Sequence, residues 1–252
     1  AILAGLLLPT LGKAKAKGQG ILCLNNHRQL ALAWKMYTDD HGGQLLFASP
    51  YNYTDPEDPT WRSTWVTGLM DFNPDNPSNW DVRQDLMRSP LWPYCGNTAG
   101  IWKCPADHSW IQPTSGPLQG QRVSRVRSMS MNLWMGGFGG ESFGLSGPEE
   151  WRIYRKESDL VDPGPTRTFL FLDMREDSID IGNFATDMRG WPDQPENAGF
   201  YDFPASYHGG SGGLSFADGH SEIHKWRDPD TMPPISVDIT GTRRQGDALV
   251  VE

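Results

Sequence analysis

The first forty residues constrain the fold more than any other part of the chain. Residues 1–8 read AILAGLLL, an unbroken apolar run, and residues 13–17 then carry three lysines. A membrane-spanning helix needs roughly 20 apolar residues, and this run supplies fewer than half of them. We therefore interpret residues 1–11 as the end of a longer hydrophobic helix whose first part precedes the numbering.

The apolar run leads into an amphipathic segment over residues 21–40. Four of its apolar residues follow the helical spacing i, i+3, i+4, i+7, namely Leu30, Ala33, Trp34 and Tyr37. Gly42 and Gly43 follow as a helix stop. The pattern predicts one long helix that ends at Asp40, with Pro9 and Gly12 expected to kink or loosen it.

The rest of the chain predicts long ordered loops followed by a sheet. Residues 44–122 are rich in Pro, Asn and Trp and lack periodicity, apart from a short helix expected over Trp80–Met87. Residues 123–135 alternate as a strand does, and 167–174 read as a central strand. Residues 212–226 predict a hairpin, and a last strand is expected at Ala248–Val251. The fold class is α+β, with the helix packed on a small antiparallel sheet.

The charge is divided unevenly along the chain. Residues 1–45 hold five basic and two acidic residues, about +3, and the remainder holds 17 and 29, about −12, which together give −9. An acidic body argues against nucleic acid as a partner. The early lysines fit three interpretations: the cytoplasmic face of a membrane, contact with acidic neighbours in an assembly, or a solvated helix face.

Eleven tryptophans are many for 252 residues. They fit a compact aromatic core, a protein interface, or platforms that stack on sugars. The loop tryptophans that bear on this choice are Trp61, Trp65, Trp80, Trp92, Trp102 and Trp110.

Three cysteines allow one disulfide and one free thiol. Cys95 and Cys104 enclose a short loop of turn-forming residues and are the favoured pair. A bridge between Cys23 and Cys104, which would join the helix to the body, is the alternative. Zinc is not expected, since no Cys-x-x-Cys spacing occurs.

An acidic run over residues 173–182 is a candidate calcium site. Calcium takes 6–8 oxygen ligands, and the candidate ligands are Asp173, Glu176, Asp177 and Asp180. The spacing is not that of an EF-hand, and a solvated, Arg-paired loop is the alternative. His208, Ser215 and Asp218 could suggest a hydrolase triad. The Gly-x-Ser-x-Gly context is missing and Asp218 suits a turn, so no enzyme is predicted.

Several stretches together resemble the bacterial type IV pilin-like family. His208, nine residues, and then Asp218-Gly219 match the C-terminal H-x9-D-G signature of a prepilin-type subgroup. AILAGLLLP resembles the second half of a pilin transmembrane helix. CLNNHRQLALAWKMYTDDHGG and WKCPADHS are also similar to this subgroup. Between them, these stretches touch both ends and the middle of the chain.

The resemblance implies a pilin-like fold in two parts. Residues 1–20 would form a hydrophobic stem and basic hinge, with the start of the mature helix missing. Residues 21–252 would form the head, with the amphipathic helix 21–40, the loops 44–122 and an antiparallel sheet within 123–252. His208 is expected to hydrogen-bond locally and fix the loop before the hairpin.

The resemblance also implies an assembly route. A precursor in the inner membrane would be cut by a prepilin peptidase and drawn by pilus assembly machinery into an extracellular or cell-surface homopolymer. The filament core would come from the apolar stem, through Ile2, Leu3, Leu6, Leu7, Leu8, Pro9 and Leu11. Its function would be that of a structural filament subunit. The alternatives are a periplasmic pseudopilin of a type II secretion system, which some relatives stabilise with calcium, and a membrane-anchored glycan-binding module.

Overall fold

One α-helix, α1, dominates the first part of the chain. The computed structural model describes residues 2–142, 151–187, 193, 194, 197, 199–235 and 249–250, without the side chains of residues 2–10 and 249–250. Helix α1 spans Ile2–Asp40 and runs through Pro9 and Gly12 without interruption. Its end is as predicted: Gly42 and Gly43 have positive φ, and the Gly43 N–H donates to the Thr38 carbonyl at 2.8 Å. This is a glycine-terminated helix end.

The second half of α1 packs on a five-stranded sheet. Among the described residues, the strands in chain order are β1 Trp110–Ile111, β2 Val123–Ser124, β3 Met129–Asn132, β4 Phe169–Asp173, β5 Asn183–Phe184, β6 Thr186–Asp187, β7 Gly199–Phe200, β8 Ser211–Phe216, β9 Ser221–Lys225 and β10 Leu249–Val250. The large sheet has the order β5-β3-β4-β8-β9, and the helix lies against β4, β8 and β9. Strands β1 and β2 form a small pair, and β10, β7 and β6 form a three-stranded sheet.

The expected pilin-like fold, a long apolar helix continued onto an antiparallel sheet, is wrong. The large sheet is mixed, because β5 runs parallel to β3 with Met131 opposite Asn183. Most of the body is β-structure and loops, and α1 is the single α-helix in the described ranges. In those ranges, no helix has both the length and the apolar content that a membrane crossing requires.

Several strands were predicted correctly although the predicted fold class was wrong. The central strand was predicted over 167–174 and is β4, and the 212–226 hairpin is β8–β9, with Leu214 opposite Glu222. The last strand, expected at Ala248–Val251, is observed as β10. The alternation predicted for 123–135 is wrong for β3, because all four of its residues are buried. The strand is covered on both faces, as central strands are.

The loop region 44–122 is ordered by short 3-10 turns rather than by sheet. These turns are Pro59–Ser63, Pro77–Asn79, Leu86–Arg88, Pro93–Cys95 and Ala99–Trp102. The helix expected over Trp80–Met87 is wrong, since only turns and the Leu86–Arg88 segment occur there. Trp65 and Trp102 are fully buried and stack with ring centroids 5.6 Å apart. Together with Trp34 and Phe171 they form the core between helix, loops and sheet.

Candidate metal centre

Four segments that are distant in sequence converge beneath the helix. They bring together Cys23 from α1, Cys104 from the loop after the Ala99–Trp102 turn, Asp173 from the end of β4, and His208 from the turn before β8. One ligand-type atom from each residue lies within 4.8 Å of the others. Cys23, Cys104 and Asp173 are buried, and the His208 side chain is only 5% exposed. We refer to these four residues as the Cys-Cys-Asp-His cluster.

The distances within the cluster define a compact polar centre. Cys23 Sγ donates to Asp173 Oδ2 at 2.9 Å. Cys104 Sγ lies 3.3 Å from His208 Nε2, and His208 Nε2 lies 4.0 Å from Asp173 Oδ2. All of these contacts join side chains more than 30 residues apart in sequence. They therefore depend on the tertiary structure and not on local chain geometry.

The helix contributes two groups to this centre because of its period. Cys23 and His27 are four residues apart and therefore share one face of α1. Both are fully buried, and His27 Nε2 lies 3.4 Å from Asp173 Oδ1. Neither ring nitrogen of His27 forms a hydrogen bond in the described structure, nor does Asp173 Oδ1. Such unsatisfied buried polar atoms are uncommon and costly.

A glycine lets the sheet approach the helix at this point. The Gly213 N–H in β8 donates to Asp173 Oδ2 at 3.1 Å. A Cβ at Gly213 would lie 2.6 Å from His27 Nε2 and 2.9 Å from Asp173 Oδ2. Contacts this short require something to move, so only glycine fits at this position without displacing the cluster.

Mutual interactions shift the ionisation of every cluster residue. The interaction with the Cys104 sulfur, reinforced by burial, raises the pKa of the Cys23 thiol far above its ordinary value. The same interaction lowers the pKa of Cys104 against the effect of burial. The contact with Cys104 raises the pKa of His208. Burial acts to raise the pKa of Asp173, but the charge of His27 and hydrogen bonds from Cys23 and Gly213 outweigh it and lower that pKa.

Two thiols, an imidazole and a carboxylate are the ligand types of a tetrahedral transition-metal site. Three of the four residues are buried, and the His208 side chain is only 5% exposed. The chemistry of the cluster suits the binding of a small ion or the formation of a bond between the two sulfurs.

The expected disulfide between Cys95 and Cys104 is not formed. All three cysteines are free thiols, and Cys104 is in the cluster with Cys23 instead. Cys95 is half-buried against the hydrophobic core. The alternative pair, Cys23 and Cys104, is the one whose sulfur atoms the fold brings close. Local loop spacing favoured Cys95 as the neighbour of Cys104, whereas the sulfur near Cys104 is that of Cys23, which only the tertiary structure brings there.

The four residues of the expected calcium site are not brought together. Asp173 faces the cluster, whereas Glu176 accepts a hydrogen bond from Tyr207 at 2.8 Å and Asp177 pairs with Arg175 at 2.5 Å. Asp180 accepts from the Ile181 N–H at 2.6 Å. Asp173 alone of the four belongs to a metal-type group in the described residues. Each of the four carboxylates has a partner of its own.

The residues of the H-x9-D-G signature have two separate structural roles, one in the cluster and one in the hairpin turn. The backbone N–H of His208 hydrogen-bonds locally, to the Ser211 carbonyl at 3.0 Å, whereas its ring contacts Cys104. Asp218 and Gly219 form the turn of the β8–β9 hairpin, where Asp218 Oδ1 accepts from the His220 N–H at 3.1 Å and Gly219 N–H donates to the Phe216 carbonyl at 2.9 Å. The hairpin thus follows directly from the segment that carries His208.

The predicted filament-core residues all lie on α1. The backbone of Ile2, Leu3, Leu6, Leu7, Leu8 and Pro9 is helical, and their side chains lie outside the described residues. Leu11 is described and is 68% exposed.

Sequence reasoning missed the metal-type cluster because it searched for ligands close together in the chain. The spacing of Cys23 and His27 on one helix face was the available signal. Comparisons with protein-family models, with curated proteins and with solved structures each found no match.

Proposed function

We propose that this chain is a structural subunit that associates with copies of itself through the outer face of α1 to build a filament. The observation that carries the proposal is the exposure of that face. Residues 11–18 are all exposed, and burial begins only at Gly20. The proposal depends on this helix face and not on a pilin-like fold.

The large exposed apolar residues of α1 lie on one side of the helix, and we call this set the stripe. Leu11 is 68% exposed, and four further large apolar residues of the helix are exposed: Ile21 at 62%, Leu22 at 56%, Leu32 at 59% and Met36 at 45%. At 3.6 residues per turn, all five fall within an arc of about 100° on the helix. The opposite side carries Cys23, His27, Leu30 and Trp34, which are buried against the body.

The energy of this stripe suits repeated association. A large apolar side chain contributes roughly 1.5–3 kcal/mol when fully buried. Five half-exposed side chains on each of two copies therefore supply on the order of 10 kcal/mol. Association itself costs about 4–15 kcal/mol, so a single contact is weak and depends on concentration. Stripe against stripe alone would close a dimer, so a filament requires that the helix also contact a different surface of the next copy, in a heterologous contact that repeats without closing.

Charge supports the same geometry. Lys13, Lys15 and Lys17 are exposed on the projecting part of the helix, while the residues beyond position 45 carry about −12 from 17 basic and 29 acidic residues. A basic stem of one copy that lies beside the acidic head of another is electrostatically favourable. At high ionic strength this contribution weakens.

The cellular setting of such a subunit is part of the proposal. The precursor would reside in the inner membrane and, after cleavage by a prepilin peptidase, would be moved by pilus assembly machinery to the cell surface. The sequence resemblance supports this route, through AILAGLLLP at one end and the His208 to Gly219 signature at the other.

The experiment measures the self-association of the chain by sedimentation velocity over a concentration series, with negative-stain electron microscopy of the largest species. The test variant is the triple substitution Leu11→Gln, Leu22→Gln, Leu32→Gln. We expect it to weaken association at least tenfold with an unchanged thermal midpoint, because all three side chains are exposed in the monomer. Long uniform fibres support a filament, and short assemblies of limited length support the pseudopilin alternative.

A matched control comes from exposed apolar residues of the head. Leu69, Met87 and Val161 are 45%, 47% and 72% exposed, and the triple Leu69→Gln, Met87→Gln, Val161→Gln removes a similar apolar area. If the head variant weakened association as much as the helix variant does, the face of α1 would not be the site of association. If the wild-type chain stayed monomeric at every concentration, the proposed self-association would be wrong.

A further inference from the structure

We propose that Cys23, Cys104, Asp173 and His208 bind one zinc ion, which fastens the N-terminal helix to the body of the protein. This inference concerns how the helix is held in the monomer, so it stands apart from the proposed assembly.

The geometry already approaches that of a bound site. Zinc binds sulfur at about 2.3 Å and nitrogen or oxygen at about 2.0–2.2 Å in a tetrahedron, which places ligand atoms roughly 3.3–3.8 Å apart. The cluster has Cys104 Sγ at 3.3 Å from His208 Nε2, Cys23 Sγ at 2.9 Å from Asp173 Oδ2, and His208 Nε2 at 4.0 Å from Asp173 Oδ2. These three separations differ from the tetrahedral values by less than 1 Å, and all four ligand atoms lie within 4.8 Å of one another.

The ligand types select the ion. Two cysteine sulfurs favour zinc and related borderline-soft metals over calcium and magnesium, which prefer oxygen ligands. Four protein ligands fill a tetrahedral zinc ion; three of the four residues are buried here, and the side chain of the fourth, His208, is only 5% exposed. A closed site of this kind is structural, because no coordination position remains for a substrate or a reactive water.

The surroundings supply the outer contacts that metal sites require. Asp173 Oδ2 would face the ion, and its other oxygen, Oδ1, lies 3.4 Å from His27 Nε2. A histidine that holds a ligating carboxylate in this way is a positioning residue. His27 Nε2 and Asp173 Oδ1 lack hydrogen-bond partners in the described structure. With the ion bound to Oδ2, the carboxylate would be held by the ion on one side and by His27 on the other.

A bound zinc ion would account for the two buried thiols. When zinc binds, the two thiols lose their protons, and two thiolates and one carboxylate, together −3, face the +2 of the ion. The ion would connect α1 to β4 and to the segments that carry Cys104 and His208. These segments span most of the chain, so the ion constrains the fold much as a long-range cross-link does.

The first experiment uses the full chain, purified under reducing conditions without added metal. Elemental analysis by mass spectrometry should find roughly one zinc per chain, as one four-ligand site requires. Replacement of zinc by cobalt should give the visible absorption of a tetrahedral site and the near-ultraviolet band of cobalt–thiolate bonds. A strong chelator should lower the thermal midpoint, and added zinc should restore it.

Three substitutions distinguish a built site from adventitious metal. Cys104→Ser should abolish stoichiometric zinc and the cobalt–thiolate band, and His27→Gln should lower zinc affinity about 10- to 100-fold while it keeps the tetrahedral spectrum. Cys95→Ser is the matched control, because Cys95 is the one cysteine outside the cluster. It should retain zinc, spectrum and chelator sensitivity.

Two results would overturn the inference. One is a metal-free protein whose unreduced peptide map contains a Cys23–Cys104 disulfide, which would make the pair a covalent link instead. The other is zinc that binds equally to the wild-type protein and Cys104→Ser. Should Cys104→Ser fail to fold, the cobalt spectrum and the chelator shift of the wild-type chain still decide the matter.

Discussion

The two halves of α1 obey the same helical geometry but have opposite surroundings. From Gly20 to Thr38, one face is buried by the sheet and loops, and it carries Cys23, His27 and Trp34. From residue 11 to 18, every position is exposed. The contrast shows that packing against the body stabilises the second half, whereas the exposed residues 11–18 gain little from such packing. The proposed association would cover this exposed part of the helix.

The largest expected effect lies in the packed half. Trp34→Ala should reduce the free energy of unfolding by about 3–5 kcal/mol, because Trp34 is fully buried in the core. Chemical denaturation monitored by circular dichroism measures this change. Leu32→Ala is the control, two residues earlier on the same helix but 59% exposed; it should cost less than about 0.5 kcal/mol. Equal losses from the two variants would contradict the division of the helix into inner and outer faces.

A smaller effect should come from the point where the sheet meets the helix. Gly213→Ala places a Cβ 2.6 Å from His27 Nε2, so the helix or β8 must shift, at a cost of about 1–3 kcal/mol. Denaturant midpoints measure this loss.

The control for this variant is Gly100→Ala. Gly100 has no atom within 4 Å of an added Cβ, and its substitution should be close to neutral. If Gly213→Ala were as stable as the wild-type chain, the close contact between β8 and α1 would not be a constraint on the fold.

The same contrast explains how much of the molecule could be predicted from the sequence. The end of α1 at Gly42, the strand β4 and the β8–β9 hairpin follow from signals within a few residues, and each was predicted correctly. The parallel pairing of β5 with β3 depends on contacts about 50 residues apart, which no local period records.

The Cys-Cys-Asp-His cluster was the feature least accessible to sequence analysis. Cys23, Cys104, Asp173 and His208 are separated by 35 to 81 residues, and each alone suggested a different role: a disulfide, an oxygen site for calcium, or a local loop contact. Their proximity became visible only in the folded structure. Spacing rules for zinc detect ligands that share one local segment, and here each ligand comes from its own segment.

The smallest effect belongs to a surface contact at the end of the packed half. Lys35 pairs with Glu157 across the surface and with Asp39 at 3.1 Å along the helix. The hydrogen bond to Glu157 raises the pKa of Lys35 above its ordinary value. The contribution of the pair to stability is therefore fully present below the unfolded pKa of Lys35 and is lost as the pH rises through the folded one. Both side chains are over a third exposed, so solvent screening limits the coupling to about 0.2–1 kcal/mol.

A double-mutant cycle with Lys35→Met and Glu157→Gln measures this coupling directly, because effects shared by the two single variants cancel. We expect a small favourable coupling at neutral pH that decreases as the pH is raised beyond the ordinary range of lysine, and that also decreases at high salt. Coupling that persists unchanged in strong alkali would mean that the contact is not an ion pair. The second half of α1 would then be held by apolar packing and the cluster alone, which would sharpen its difference from the exposed half.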